Sequence, residues 1–270
     1  MSFDLADTVP LTVEIRDAAG VLVNASSVVC TITLPDTTTT TPTVSNPSTG
    51  RYTVDYVTVQ PGRHAVRWVS TGPASAFTDQ FDVRPAAPGY IISLADAKAK
   101  LRISATNTAQ DEQVRTYVEA ATLICERVRG EAIVRRTVSE PRMLRSYSYE
   151  LPLWTTPVIS LTSIATIDQI FTWDVTSFDV DGPSGLLRVK LPGGLPLWGQ
   201  LTVNYVAGYT VIPANYTMAA KLIVQHLYES ERGEKGAARL GGGEPYEVPG
   251  MGTIPRLAYE LLGPGIPGLA

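Results

Sequence analysis

From residue 10 to residue 84 apolar and polar side chains alternate with a period of two, the pattern of strands buried on one face. Leu11, Val13 and Ile15 share a face, as do Val28, Cys30, Ile32 and Leu34. Tyr52, Val54 and Tyr56 follow, then His64, Val66 and Trp68, and lastly Phe77, Phe81 and Val83. Turn-forming runs separate them: Asp17-Ala18-Ala19-Gly20, Asn46-Pro47-Ser48-Thr49-Gly50 and Gln60-Pro61-Gly62. Several short strands at this spacing predict an immunoglobulin-like β-sandwich over residues 1–84. The Cys–Trp–Cys spacing of antibody domains is missing, so an antibody-type domain is not implied.

Arg84-Pro85-Ala86-Ala87-Pro88-Gly89 breaks the pattern, and residues 85–90 read as a linker. Beyond it the period becomes helical. Ser93 with Asp96 forms a capping-box start to a short helix through Leu101. A longer helix begins near Asp111, carries Val114, Tyr117, Val118, Ala121, Ile124, Cys125 and Val128 at steps of three and four, and ends at Gly130. From about 133 to 211 the pattern returns to strands, with Val158–Ile164 and Gln200–Val206 the clearest. Turns fall at Asp181–Gly185 and Pro192–Pro196. Pro213 then opens a helix with a stripe of Tyr216, Ala219, Ala220, Ile223 and Leu227, closed by Gly233. The chain is therefore expected to be α+β overall: an all-β sandwich, then a helical domain over 91–233 with an inserted β module.

Residues 234–270 are rich in glycine and proline and weak in core-forming periodicity. One apolar hook interrupts them, with Ile254, Leu257, Tyr259, Leu261 and Leu262. With no evident core of its own, this flexible arm is expected to dock on another chain and to become ordered there.

Composition narrows the chemistry. Of the 270 residues 18% are charged, below the roughly 25% of an ordinary soluble domain. The net charge of -4 excludes a generally basic nucleic-acid binder. No apolar run reaches the ~18 residues of a membrane span, so no membrane partner is expected. The acidic start, Met1 to Asp7, does not read as an export signal. Cys30 and Cys125 lie in different domains and read as two buried apolar residues rather than a disulfide. His64 and His226 have no ligand-like spacing, and no metal site is expected. The aspartates at 168, 174, 179 and 181 read as turn residues rather than a catalytic pair. No Gly-x-Ser-x-Gly elbow is present, and Gly241-Gly242-Gly243 lacks the Lys-Ser/Thr ending of a phosphate loop. The chain reads as no enzyme, without cofactor. One local feature stands out: Arg127, Arg129, Arg135, Arg136, Arg142 and Arg145 fall in one stretch with only Glu131 and Glu140, a local excess of four positive charges. Such an excess suits helix-terminus compensation with intersubunit ion pairs, or contact with nucleic-acid phosphate or an acidic partner surface.

An ordered set of motifs runs through residues 91–232. It opens with Leu94, Ala97, Lys98, Leu101 and Arg102, continues with Asp111-Glu112, and has a long helix ending in Arg129-Gly130. Phe178-Asp179-Val180-Asp181 and Gly185-Leu186-Leu187-Arg188 follow. Val203-Asn204-Tyr205-Val206-Ala207-Gly208-Tyr209 then leads to Ile212-Pro213-Ala214 and a helix with His226-Leu227-Tyr228-Glu229. This set resembles the head–tail connector, or adaptor, proteins of long-tailed bacteriophages, and the ending Pro255 to Leu262 is similar to theirs. The resemblance implies a structural virion protein of the neck, made in the host cytoplasm. It implies a homo-oligomeric ring, usually of twelve subunits, between the capsid portal and the next neck or tail-completion protein. Such a ring extends the DNA channel and touches DNA non-specifically. The arm residues Ile254, Leu257, Tyr259, Leu261 and Leu262 become portal-docking groups on this reading. The six arginines face the DNA channel or a neighbouring subunit. The sandwich is an addition that compact members lack. A second reading makes the chain an immunoglobulin-like module of a phage tail or baseplate that recognises a host glycan.

Overall fold

Alternating side chains become strands, and helical stripes become helices, in two compact units: Met1–Pro88 and Gly89–Ala270. The structure, a computed structural model, describes residues 2–86, 89–190, 194–231, 246–248 and 252–263. The chain is mostly β, with four α-helices among the described residues.

In the first unit β1 (Ser2–Asp4), β2 (Thr8–Glu14), β3 (Ser27–Thr33), β4 (Thr39–Thr40), β5 (Ser45–Ser48), β6 (Arg51–Val57), β7 (Gly62–Thr71) and β8 (Ser75–Arg84) form two sheets. Their orders are β1-β8-β7-β3-β4 and β2-β6-β5. The register sets Val9 opposite Tyr56, Leu11 opposite Val54 and Val13 opposite Tyr52, so apolar side chains fall on one face. In β7 every second residue is buried, with His64, Val66, Trp68 and Ser70 inside. His64 is a core residue: its ring stacks on Phe81 with centroids 4.9 Å apart, and Nδ1 lies 3.2 Å from the Gly62 carbonyl. Burial pushes the Cys30 thiol up to about 11, which keeps it protonated. Three features depart from the sequence pattern. Asn46, Pro47 and Ser48, expected in a turn, belong to β5, an edge strand in which Pro47 is tolerated. β1 is an added strand, parallel to the end of β8. Phe77, expected in the core, is 47% exposed. Residues 75–80 are exposed on both faces, so this half of β8 has no second sheet over it.

The second unit opens with α1 (Leu94–Lys100) and α2 (Asp111–Arg129). The Ser93 Oγ accepts the Asp96 N–H at 3.0 Å and donates to its carboxylate at 2.9 Å, closing the start of α1. Lys98, only 5% exposed, fastens the following loop: its ammonium donates to the carbonyls of Ala105 and Asn107 and to Asp111 Oδ1, at 3.1, 2.8 and 2.7 Å. α2 stops at Gly130, whose φ of 68° is the left-handed cap.

The β module comprises β9 (Arg136–Ser148), β10 (Glu150–Pro152), β11 (Val158–Thr166), β12 (Thr172–Trp173), β13 (Phe178–Asp181), β14 (Leu186–Val189) and β15 (Leu197–Ala207). A four-stranded sheet has the order β12-β11-β15-β9, and a three-stranded one the order β10-β14-β13. Leu151, Ile164, Leu187, Leu197, Leu201, Val203 and Tyr205 fill one shared core. β9 is an edge strand, which explains how Pro141, lacking an N–H, sits in its middle. The segment after β11 returns along that strand: Thr166 N–H bonds the Phe171 carbonyl, Ile164 pairs with Trp173, and Val158 N–H bonds the Gly182 carbonyl. Residues 171–182 thus line the sheet edge opposite β9.

α3 (Ala214–Glu231) packs on α2 and buries Tyr216, Ala219, Ala220, Ile223, Val224 and Tyr228; Leu227 is only half-buried, so the stripe turns toward Val224 and Tyr228. Gly233, the linker residues Ala87 and Pro88, and Pro192-Gly193 lie outside the described residues. β16 (Tyr246–Val248) and β17 (Gly252–Ile254) form a hairpin, and α4 (Arg256–Leu262) follows. The expected arm without a core of its own is corrected here for residues 254–262. Ile254 is 3% exposed, Ala258 0% and Leu262 1%, and the last two belong to the same core as α2 and α3. The physical reason is a stripe of three residues at four-residue spacing, Ile254, Ala258 and Leu262, in which the middle member is a small alanine. The glycine run 241–243 lies outside the described residues.

Each unit has its own apolar core. A chain ending at Pro88 is therefore expected to fold alone and unfold cooperatively in urea. A fragment with no cooperative transition would show that the sandwich core is insufficient.

Candidate assembly surfaces

The six arginines singled out by the sequence do not act as one patch. Three are tied into carboxylates of their own chain. Glu126, one residue before the cluster, accepts the N–H groups of Ile133 and Val134 at 2.9 and 3.2 Å and pairs with Arg136 at 2.6 Å. Glu131 accepts from Arg129 Nε at 2.9 Å and from the hydroxyls of Tyr209 and Tyr216 at 3.0 and 3.3 Å. Glu140, 3% exposed, accepts from Arg142 at 3.1 Å, from the Tyr205 hydroxyl at 2.6 Å and from the Trp154 N–H at 3.0 Å. The Arg142 guanidinium also covers the Trp154 ring at 4.5 Å. Arg127, Arg135 and Arg145 are exposed and make no ion pair among the described residues. The sequence held the missed signal: each paired arginine has a glutamate two residues away or just outside the counted stretch.

These knots give physical content to the Tyr205 to Tyr209 motif. Tyr205 is fully buried, donates to Glu140 and accepts the Thr155 N–H at 3.1 Å. Burial first, and the Glu140 carboxylate second, raise its phenol above the ordinary value. Tyr209 is raised in the same way, by burial and then by Tyr216 and Glu131. Both therefore remain neutral donors. Gly208 between them has φ of 107°, and a Cβ there would meet the Val134 carbonyl oxygen at 2.6 Å.

The five arm residues divide. Ile254 and Leu262 hold the segment to its own unit, Tyr259 and Leu261 are half-buried, and Leu257 is 54% exposed. The end of α4 is fastened by polar groups as well: Arg129 Nη1 donates to the Leu262 carbonyl at 3.0 Å, and Asn215 donates to the Leu261 carbonyl at 2.8 Å. One cluster arginine and the apolar segment, read separately from sequence, thus meet in one contact. Further apolar side chains stand in solvent on the β module, among them Met143 at 70%, Tyr147 at 72%, Trp154 at 71% and Ile170 at 85%, and Val211 does so at 82% before α3.

Asp168, Asp174 and Asp181 do what turn residues do, the last accepting the Ser184 hydroxyl at the end of β13, whereas Asp179, also expected in a turn, lies within β13 opposite Arg188. Asp168 accepts the Ile170 N–H, and Asp174 accepts both the N–H and the hydroxyl of Thr176. Those bonds hold both carboxyls below the usual range, the Thr166 hydroxyl being the largest influence on Asp168 and the Thr176 N–H on Asp174. Among the described residues no three His, Cys, Asp or Glu side chains converge as metal ligands. Burial pushes the Cys125 thiol up to about 12. What the described residues present is a set of carboxylate-centred hydrogen-bond clusters beneath exposed apolar and charged side chains.

The model of the family described as "head completion protein" matches residues 90–262, nearly the whole of the second unit. The chain belongs to this family, that of the phage head completion proteins. A comparison with curated proteins gives no match. Among solved structures, a chain of the virion of the native gene transfer agent particle shares 18% identity with a TM-score of 0.47, covering 68% of this chain and 96% of its own. A chain from the neck of the empty particle, computed with C6 symmetry, shares 18% with a TM-score of 0.45, covering 59% and 85%. One from the native neck, computed with C12 symmetry, shares 15% with a TM-score of 0.43, covering 67% and 98%. Family membership rests on the family model alone.

The burial of α4 has a direct consequence. Leu262→Ala should destabilise the second unit by about 2–5 kcal/mol, whereas Leu257→Ala should change it by under about 0.5 kcal/mol. Urea denaturation measures both; equal, small effects would mean that α4 is not part of the core.

Proposed function

We propose that the chain is an adaptor subunit that forms a ring, of twelve copies as the resemblance implies, between the capsid portal and the next neck or tail-completion protein. The observation that carries this reading is the family match, which spans both the helical core and α4. The ring would continue the DNA channel, and the sandwich would decorate it. A closed ring needs two different, complementary faces on every subunit, and the second unit has exposed apolar side chains on both its β module and its helices. Leu257, with the accessible parts of Tyr259 and Leu261, is the portal-docking group, while Ile254 and Leu262 keep α4 in place for it. Many weak copies of such a contact sum to firm attachment. Arg127, Arg135 and Arg145 are the cluster arginines left to meet a neighbouring subunit or DNA in the channel.

Electron microscopy of particles carrying the tagged chain tests the reading. A ring of copies at the head–tail vertex is expected. Density at the tail tip or baseplate, or a single copy at the neck, would refute it.

A further inference from the structure

The four-stranded sheet β12-β11-β15-β9 has edges of opposite charge. β9 forms one edge. Four arginines lie along or just before it, and after Glu126 and Glu140 have taken Arg136 and Arg142, Arg135 and Arg145 remain exposed without an ion pair among the described residues. The opposite edge is lined by the returning segment, and residues 168–181 contain Asp168, Asp174, Asp179 and Asp181 but no Lys or Arg; one cation from outside the segment, Lys190, donates to the Thr176 carbonyl at 3.0 Å, so the aspartates stay in excess. Asp179 is exposed and makes no ion pair among the described residues; Arg188, opposite it in the register, is bonded to Glu150 at 3.0 Å. The sheet between the edges carries uncharged cross-strand rows: Pro141, Thr202 and Ala165 in one, Ser139, Asn204 and Ser163 in the next.

We infer that a second copy of this chain docks head-to-tail on this module, its acidic edge with Asp179 against the basic edge of β9 with Arg135 and Arg145. A two-fold contact through either edge would set like charge on like. A head-to-tail contact joins opposite charges and leaves one unused edge of each kind to receive further copies. Neutral rows beside the edges let the subunits approach without stranding a charge. DNA would account for the basic edge, but it would be repelled by the acidic one. The inference rests on the ring reading and names the surface by which ring subunits meet.

The test uses the full chain in sedimentation velocity at low and high salt. Wild type should self-associate at low ionic strength and dissociate as salt shortens the Debye length to ~8 Å and below. Arg145→Glu and Asp179→Arg should each weaken association about tenfold or more. An equimolar mixture of the two variants should form mixed pairs through the unaltered edges, and the double variant should regain association. Asp179→Asn, which removes charge without setting a second arginine beside Arg188, should weaken it more mildly; circular dichroism reports folding of each variant. Wild type that stays monomeric at low salt, single reversals without effect, or a double variant that gains nothing would each overturn the inference. So would Arg145→Glu reducing only retention on duplex DNA. Intact rings in micrographs of particles bearing the single reversals would overturn the interface while leaving the ring reading standing.

Discussion

The second unit turns on one carboxylate. Glu131 stands just past the left-handed cap of α2 and collects Arg129 from that helix, Tyr209 from beyond the end of β15 and Tyr216 from the start of α3. Arg129 carries the connection onward to the last carbonyl of α4 and lies over the Tyr216 ring at 5.4 Å. Four elements therefore converge on one half-buried ion pair. Such a pair adds little net stability over an apolar substitute, but removing one partner leaves the other buried and costs about 3–5 kcal/mol. Its value is positional, because it sets where the β module departs from the helices and where the chain returns. Glu140 repeats the arrangement within the module.

Burial explains how the same arginine-rich stretch serves two ends. Arginines that the fold brings onto a glutamate are used up in holding it, while Arg127, although next to Glu126 in sequence, points away and stays outside with Arg135 and Arg145. The division makes the exposed charge of this unit smaller than composition suggests and places it at defined edges. A similar division acts on α4, where one side belongs to the subunit's core and the other faces outward. In the proposed contact with the portal, a helix already fixed to its own subunit would lose less conformational freedom on binding than a loose arm.

Much of this was legible in the residues. Period-two alternation located the sandwich strands, and the stripes of α2 and α3 appear where three- and four-residue spacing put them. What escaped notice had physical causes. β1 is three residues long and pairs with β8, so its partner is distant in sequence and local pattern is silent about it. α4 has the sequence of a loose hook because Ala258, the small residue that allows close packing, does not register as an anchor in the pattern. Phe77 was placed inside because alternation assumes a covering sheet along the whole strand, and β8 outruns its cover. The arginine cluster looked like a patch because charge counted along the chain ignores partners brought together by a turn, such as Glu126 and Arg136.

The central claim is that the C-terminal helix belongs to the subunit and is tied there through Glu131 and Arg129. Hydrogen–deuterium exchange of the free protein addresses it directly, since exchange reads local opening. Amides of residues 259–262 should be protected in the wild type comparably to the inner turns of α2 and α3, and should exchange faster than the rest of the unit in Glu131→Gln. Exchange of this segment at the rate of an unstructured peptide in the wild type would contradict the claim and return it to the status of a loose arm.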